Sequence, residues 1–161
     1  MLYGKNILLE KQDASALKVG DKVTLMKWGN VSITSSAEVD GVLTLNGTYL
    51  ADDKDFKKTT KLTWVAEDKN TNFTIDICEN GHLIKTEKHE DGVELKDIVN
   101  DNSRISYEGI AEGNLRNVQQ GDVIQIERRG YYFVDKIELG SNKMCLNFIP
   151  DGKQKAQGIK G

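Results

Sequence analysis

Eight short runs rich in β-branched and aromatic residues, each bounded by Gly, Asn or Asp, recur along the whole chain and leave little room for helix. They span residues 22–33, 41–50, 61–66, 72–79, 82–88, 104–112, 122–138 and 143–150. Several alternate apolar with polar residues, the period of a strand with one buried face. Asp40-Gly41 between two runs signals a tight hairpin, and residues 139–142 signal another turn. Helical spacing is confined to short pieces. One or two turns are expected over 13–17 with Asp13 as cap, and one short helix over 94–101, where Leu95, Ile98 and Val99 share a face. A single turn within 114–122 should stop at Gly121. The pattern predicts an all-β fold of one barrel or two small β-barrels with one or two short helices. No internal repeat and no low-complexity segment is read from the sequence.

At 161 residues the chain is sized for one domain or two small ones. No apolar run approaches the roughly 18–20 residues that cross a bilayer, and the opening residues lack a signal-peptide core. A cytoplasmic protein without membrane contact is expected. The polar stretch 151–161 reads as frayed, with residues 154–161 as a flexible tail.

Few residues offer catalytic chemistry. Cys78 and Cys145 are far apart in sequence and read as ordinary core or edge residues rather than ligands or nucleophiles. His82 and His89 have no partners at zinc spacing, so no metal site is expected. His82 would share a strand face with Cys78, but no carboxylate completes a triad. The net charge of −3 and pI near 5.5 weigh against a broad positive field for nucleic acid. Any nucleic-acid recognition must then rest on a few placed side chains.

The run 122–138 contains Gln125, Arg128, Arg129, Tyr131 and Tyr132 in close succession. In one regular strand Gln125 and Arg128 point to opposite faces. They meet one ligand only if the strand bulges or curls near Gly130. Pattern alone favours the plainer reading, in which the arginines end a strand in water. Tyr131 and Tyr132 alternate, so one should pack in the core and the other lie near the surface.

The residues Gly-Asp-Val-Ile-Gln-Ile-Glu-Arg-Arg-Gly-Tyr-Tyr-Phe-Val-Asp at 121–135 resemble the closing strand of the anticodon-binding region of glutamyl- and glutaminyl-tRNA synthetases. Residues 21–33, with Trp28-Gly29-Asn30, and residues 55–67 resemble the eukaryotic and archaeal glutamyl branch. The stretch 95–103 and the closing 147–153 fit the same pattern, the latter also resembling the glutamyl half of fused glutamyl-prolyl enzymes. The likeness covers about residues 2–153.

That resemblance implies two barrels related to an RNA-binding ribosomal-protein barrel, over residues 1–153. It implies a class I synthetase that attaches glutamate to tRNA-Glu with ATP and Mg, both held by an N-terminal catalytic domain. The catalytic signatures of that domain are not among these residues, and no cofactor is expected here. The chain is expected to be a C-terminal part of such an enzyme, inactive alone and with an incomplete proximal barrel. Implied partners are the tRNA-Glu anticodon loop, the catalytic domain and other proteins of a synthetase complex.

Carried over by position, the resemblance implies that Gln125 and Arg128 contact an anticodon base. An amide pairs donor and acceptor with a base edge, and a guanidinium offers a planar fork or a stacking face. Arg129, Lys27, Trp28, Asn30, Lys57 and Lys58 form a second tier of expected RNA contacts. At Lys57 and Lys58 a solvated hairpin tip is the plainer reading, and for Trp28 a core plug beside a turn is as reasonable as a stacking platform. The alternatives are a protein-interaction module of a multi-synthetase assembly, or the same region of a glutaminyl enzyme. A self-contained small enzyme finds no support in nucleophile–base spacing.

Overall fold

The computed structural model describes residues 2–88, 91–138 and 143–150, in which strand is the dominant regular structure and helix is confined to short pieces. The all-β expectation with short helices holds. The chain divides into two compact units, Met1–Asp68 and Lys69–Gly161.

The first unit holds β1 (Ile7–Leu9), α1 (Lys11–Ser15), β2 (Lys22–Leu25), β3 (Gly29–Val39), β4 (Val42–Leu50), β5 (Thr60–Leu62) and β6 (Trp64–Ala66). One sheet runs β4-β3-β2-β5, with β5 parallel to β2, and β1 pairs with β6 in a separate ribbon. Val23, Leu25, Ile33, Leu62, Trp64 and Ala66 form the core, because the alternating strand period sends them to one side. Asp40 and Gly41 both have positive φ, the signature of the two-residue type I′ turn that their sequence announces. The run 22–33 is two strands, reversed by a turn over 26–28, and the run 61–66 is also two, belonging to different sheets.

The second unit holds β7 (Phe73–Asn80), α2 (Leu95–Ile98), β8 (Arg104–Ala111), a 3-10 turn (Gly113–Asn117), β9 (Val123–Ile126), β10 (Gly130–Glu138) and β11 (Lys143–Ile149). They form a five-stranded sheet ordered β8-β7-β11-β10-β9, antiparallel except where β11 meets β7. Phe73, Ile75, Ile77, Tyr132, Val134, Met144 and Leu146 line one face, and Leu115 and Val118 pack against it. The hydrogen-bonded strands described do not close into a ring in either unit, so the sheets are open where barrels were expected. The expected strand at 82–88 reduces to one bridge, Ile84 to Val99, because Leu83 and Ile84 find no full-length partner strand. The turn expected at 139–142 and the tail lie outside the described residues.

One architectural feature escapes sequence inspection. Residues 20–33 and 121–134 are the same structure displaced by 101 positions. Gly20 and Gly121 have φ of 95° and 94°. Each donates its N–H, at 2.8 Å, to the carbonyl of Ile33 or Val134 respectively. Asp21 and Asp122 each accept at Oδ2 from the N–H three residues earlier, at 2.8 Å. Cross-strand registers correspond pair by pair: Thr24 faces Asn30 as Gln125 faces Tyr131, and Leu25 faces Gly29 as Ile126 faces Gly130. Both second strands shift register at the same place, between Ile33 and Ser35 and between Val134 and Lys136. Each unit is thus built around one and the same three-stranded device.

Candidate RNA interface

The run 122–138 is not a single curled strand. β9 ends at Ile126, the chain reverses through Glu127, Arg128 and Arg129, and β10 begins at Gly130. The turn is closed by the Arg129 N–H, which donates to the Ile126 carbonyl at 3.0 Å. Its third residue, Arg128, has φ of 67°. Positive φ at that single position is the pattern of a type II turn, where glycine is the easy choice. In the first unit Lys27 occupies the matching place, with φ of 62°. Both cations are exposed at the tips of their hairpins.

Two of the expected contacts part company with their neighbours. Arg129 folds back on the sheet: its Nη1 donates to the Tyr107 hydroxyl at 2.7 Å, and its guanidinium lies 5.5 Å from the Tyr107 ring centre. Tyr107 in turn donates to Glu79 Oε1 at 2.7 Å. Burial, and then the bond to the Glu79 carboxylate, hold the Tyr107 hydroxyl well above its ordinary pKa. Arg129 therefore pins the turn to β8.

Asn30 is likewise removed from the RNA-facing set. It is 0% exposed, accepts from the Thr24 hydroxyl at 2.6 Å, and donates through Nδ2 to the Asp55 carbonyl at 3.0 Å. Thr59 closes over the same spot with its hydroxyl against that of Thr24. The segment from Asp53 to Thr59 is therefore a cover clamped onto the outer side of the first hairpin. Lys22 fastens its base through Asp53, at 2.7 Å. Lys57 and Lys58 stand exposed on this clamped segment beside Phe56. Trp28 is half-buried among Trp64, Tyr3 and Tyr49, with ring centres 4.8, 5.3 and 5.7 Å away. Those contacts make it chiefly a plug.

In the second unit the matching surface is open. Gln125 is exposed, and its cross-strand neighbour Tyr131 is 46% exposed, whereas Tyr132 is 1% exposed in the core. The expected division of the two tyrosines holds. Phe133, 38% exposed, and Val123 continue the same outer face as the next cross-strand pair. Sequence reasoning passed over Phe133, although its place two residues after Tyr131 on a strand puts both on one face. The outer face of this hairpin thus joins an amide, two aromatic faces and, at the tip, a guanidinium.

Comparison with known proteins adds to this geometry. Two family models, both described as the anticodon-binding domain of class I (E and Q) tRNA synthetases, match residues 61–135 and 1–50. The cytoplasmic glutamate–tRNA ligase of Arabidopsis thaliana is 40% identical over 94% of this chain, and that of Saccharomyces cerevisiae 36% over 95%. The mouse bifunctional glutamate/proline–tRNA ligase is 31% identical over 99% of the chain. The chain spans 21% of the length of each of the two cytoplasmic ligases and 11% of the bifunctional one.

Proposed function

Because the chain belongs to the anticodon-binding domains of the class I tRNA synthetases for glutamate and glutamine, we propose that it reads the anticodon loop of tRNA-Glu within a cytoplasmic glutamate–tRNA ligase. The observation that carries the reading is the contrast between the two hairpins. The positions of Thr24 and Asn30 are sealed by the chain's own segment, whereas the equivalent Gln125 and Tyr131 are uncovered. An exposed amide flanked by aromatic rings suits an unstacked loop base, with edge pairing from the amide and stacking worth about 1–3 kcal/mol per base.

In this reading Gln125 contacts a base edge and Arg128 a base or phosphate, with Tyr131 and Phe133 as stacking faces. Lys27 holds backbone phosphate at the equivalent tip of the first unit, and Lys57 and Lys58 supply further positive charge on the clamped segment. Support for the two tips comes from backbone strain. An L-residue in the left-handed region costs about 1–2 kcal/mol, yet each tip carries a long cation where glycine would relieve it.

Catalysis belongs to the rest of the enzyme, whose ATP and Mg are bound elsewhere. The role of this region is to make reaction depend on the anticodon through differential binding. The test is glutamylation by the intact ligase with tRNA-Glu carrying single anticodon substitutions. Gln125→Ala and Arg128→Ala are each expected to reduce discrimination about tenfold, the scale of one lost hydrogen bond. Unchanged discrimination in both variants would remove the base-reading assignment.

A further inference from the structure

The outer face of the second sheet brings together the only two cysteines in the sequence. Cys78 on β7 and Cys145 on the adjacent β11 have sulfur atoms 3.7 Å apart. Arg104, on β8, donates from Nη2 to Cys78 Sγ at 3.1 Å, and the Ser106 hydroxyl lies 3.4 Å from the same sulfur. Cys78 is 2% exposed; Cys145 is half-buried, and Arg104 and Ser106 are exposed beside it.

We propose that Cys78 and Cys145 form a peroxide-sensitive dithiol, with Cys78 as the attacking sulfur, Cys145 as the resolving thiol and Arg104 as the positioning cation. Three features separate this pair from two inert core cysteines. A guanidinium and a hydroxyl point at one sulfur, which is the environment that favours a thiolate. A second thiol stands within rotamer reach of the roughly 2.05 Å sulfur–sulfur bond. The pair also lies on two neighbouring strands, diagonal by two positions because Cys145 faces Asp76 and Cys78 faces Asn147, so closing the bond draws the strands together only locally. The titration behaviour agrees. Burial raises the Cys78 pKa, but bonds from Ser106, Arg104 and Cys145 outweigh it and leave the pKa lowered. Burial, and then the neighbouring Cys78, push Cys145 up to about 11.

The chemistry balances with a hydroperoxide as oxidant. The Cys78 thiolate attacks the terminal peroxide oxygen, the O–O bond breaks, and the leaving alkoxide or hydroxide takes a proton. Cys78 is then a neutral sulfenic acid, so the negative charge that opposed ionisation of Cys145 is gone. The Cys145 sulfur attacks Cys78, the S–O bond breaks, and hydroxide departs as water with the thiol proton. Two thiols and one hydroperoxide give one disulfide, one alcohol or water, and one further water. A cytoplasmic disulfide of this kind is a reversible modification, since cellular thiols reduce it. The proposal does not depend on the RNA reading.

The test treats the chain with stoichiometric hydrogen peroxide at neutral pH and follows free thiols and intact mass. Wild type should lose both thiols and about 2 Da, with a Cys78–Cys145 peptide after digestion. Cys145→Ser should stop at a sulfenic acid on Cys78 that a dimedone probe captures. Arg104→Ala should slow the reaction about tenfold, with Arg104→Lys restoring part of the rate. Wild-type oxidation at the rate of free glutathione, or capture of the sulfenic acid on Cys145 instead, would overturn the proposal. Because the readouts on wild type and Cys145→Ser leave the buried sulfur in place, a folding defect in a Cys78 variant does not obscure the result.

Discussion

The residues that sequence reading singled out for RNA fall into three groups once their surroundings are known. Gln125, Arg128, Lys27, Lys57 and Lys58 lie on exposed positions, Arg129 and Asn30 bond within the fold, and Trp28 is a packed plug. Residue type alone could not make that division, because a buried asparagine and a base-reading one look alike in sequence. What hides Asn30 is a carbonyl of Asp55, 25 residues away. The left-handed tips give a prediction at this scale. Lys27→Gly and Arg128→Gly remove the strain but add glycine's unfolded-state entropy, terms of about 1 kcal/mol each with opposite sign. Chemical denaturation midpoints should therefore stay close to wild type while RNA affinity falls several-fold. A second prediction concerns acid. The bond from Lys22, and then that from the Asp55 N–H, hold the Asp53 carboxyl below its usual pKa. A lowered folded-state pKa gives stability that is present above the unfolded value and lost as pH falls through the folded one. The clamp should thus weaken from about pH 4 downward, and Asp53→Asn should flatten the pH dependence of stability there.

At the scale of elements, the strands were legible and their breaks were not. Alternation and β-branching marked both 22–33 and 122–138 as extended, but a hairpin closed by a three-residue turn leaves the alternation almost undisturbed. Without a glycine at the turn's left-handed position, only Gly29 and Gly130, two residues on, hinted at an irregularity there, and neither announced a full reversal. Short β1 and β5 carry too few residues for a period, and they exist because partners supply the ladder. The run 82–88 shows the converse, since a suitable pattern without a partner yields one bridge. Packing between elements gives a further prediction. A methyl group at Gly47 would lie 2.5 Å from Val31 Cγ1 across the β3–β4 pair. Gly47→Ala should cost about 1–3 kcal/mol by forcing that side chain from its well, read as a lower melting temperature.

For the whole chain, composition was informative about what binding must look like and silent about repetition. A net charge of −3 leaves little general attraction to RNA, so the cations placed at the RNA-facing tips should carry a disproportionate share. Affinity for an anticodon stem–loop should fall as salt rises. Each cation-to-neutral change at Lys27 or Arg128 should reduce the log–log slope by about 0.7, as expected for one phosphate contact on a single strand. The internal duplication stayed invisible because only Gly, Asp and Gly are identical across residues 20–33 and 121–134. What the two copies share is hydrogen bonding and register, which many side chains can satisfy.

The segment Asp53–Thr59 behaves as a tethered ligand for the first hairpin. Being part of the same chain, it enjoys an effective concentration in the millimolar range or above, which few diffusing competitors could match. Drift at Thr24 is therefore judged by whether the protein folds, and drift at Gln125 by what it can still hold. Two copies of one device thus answer to different selective pressures, and only the uncapped copy is free to acquire a new preference without risking its own core.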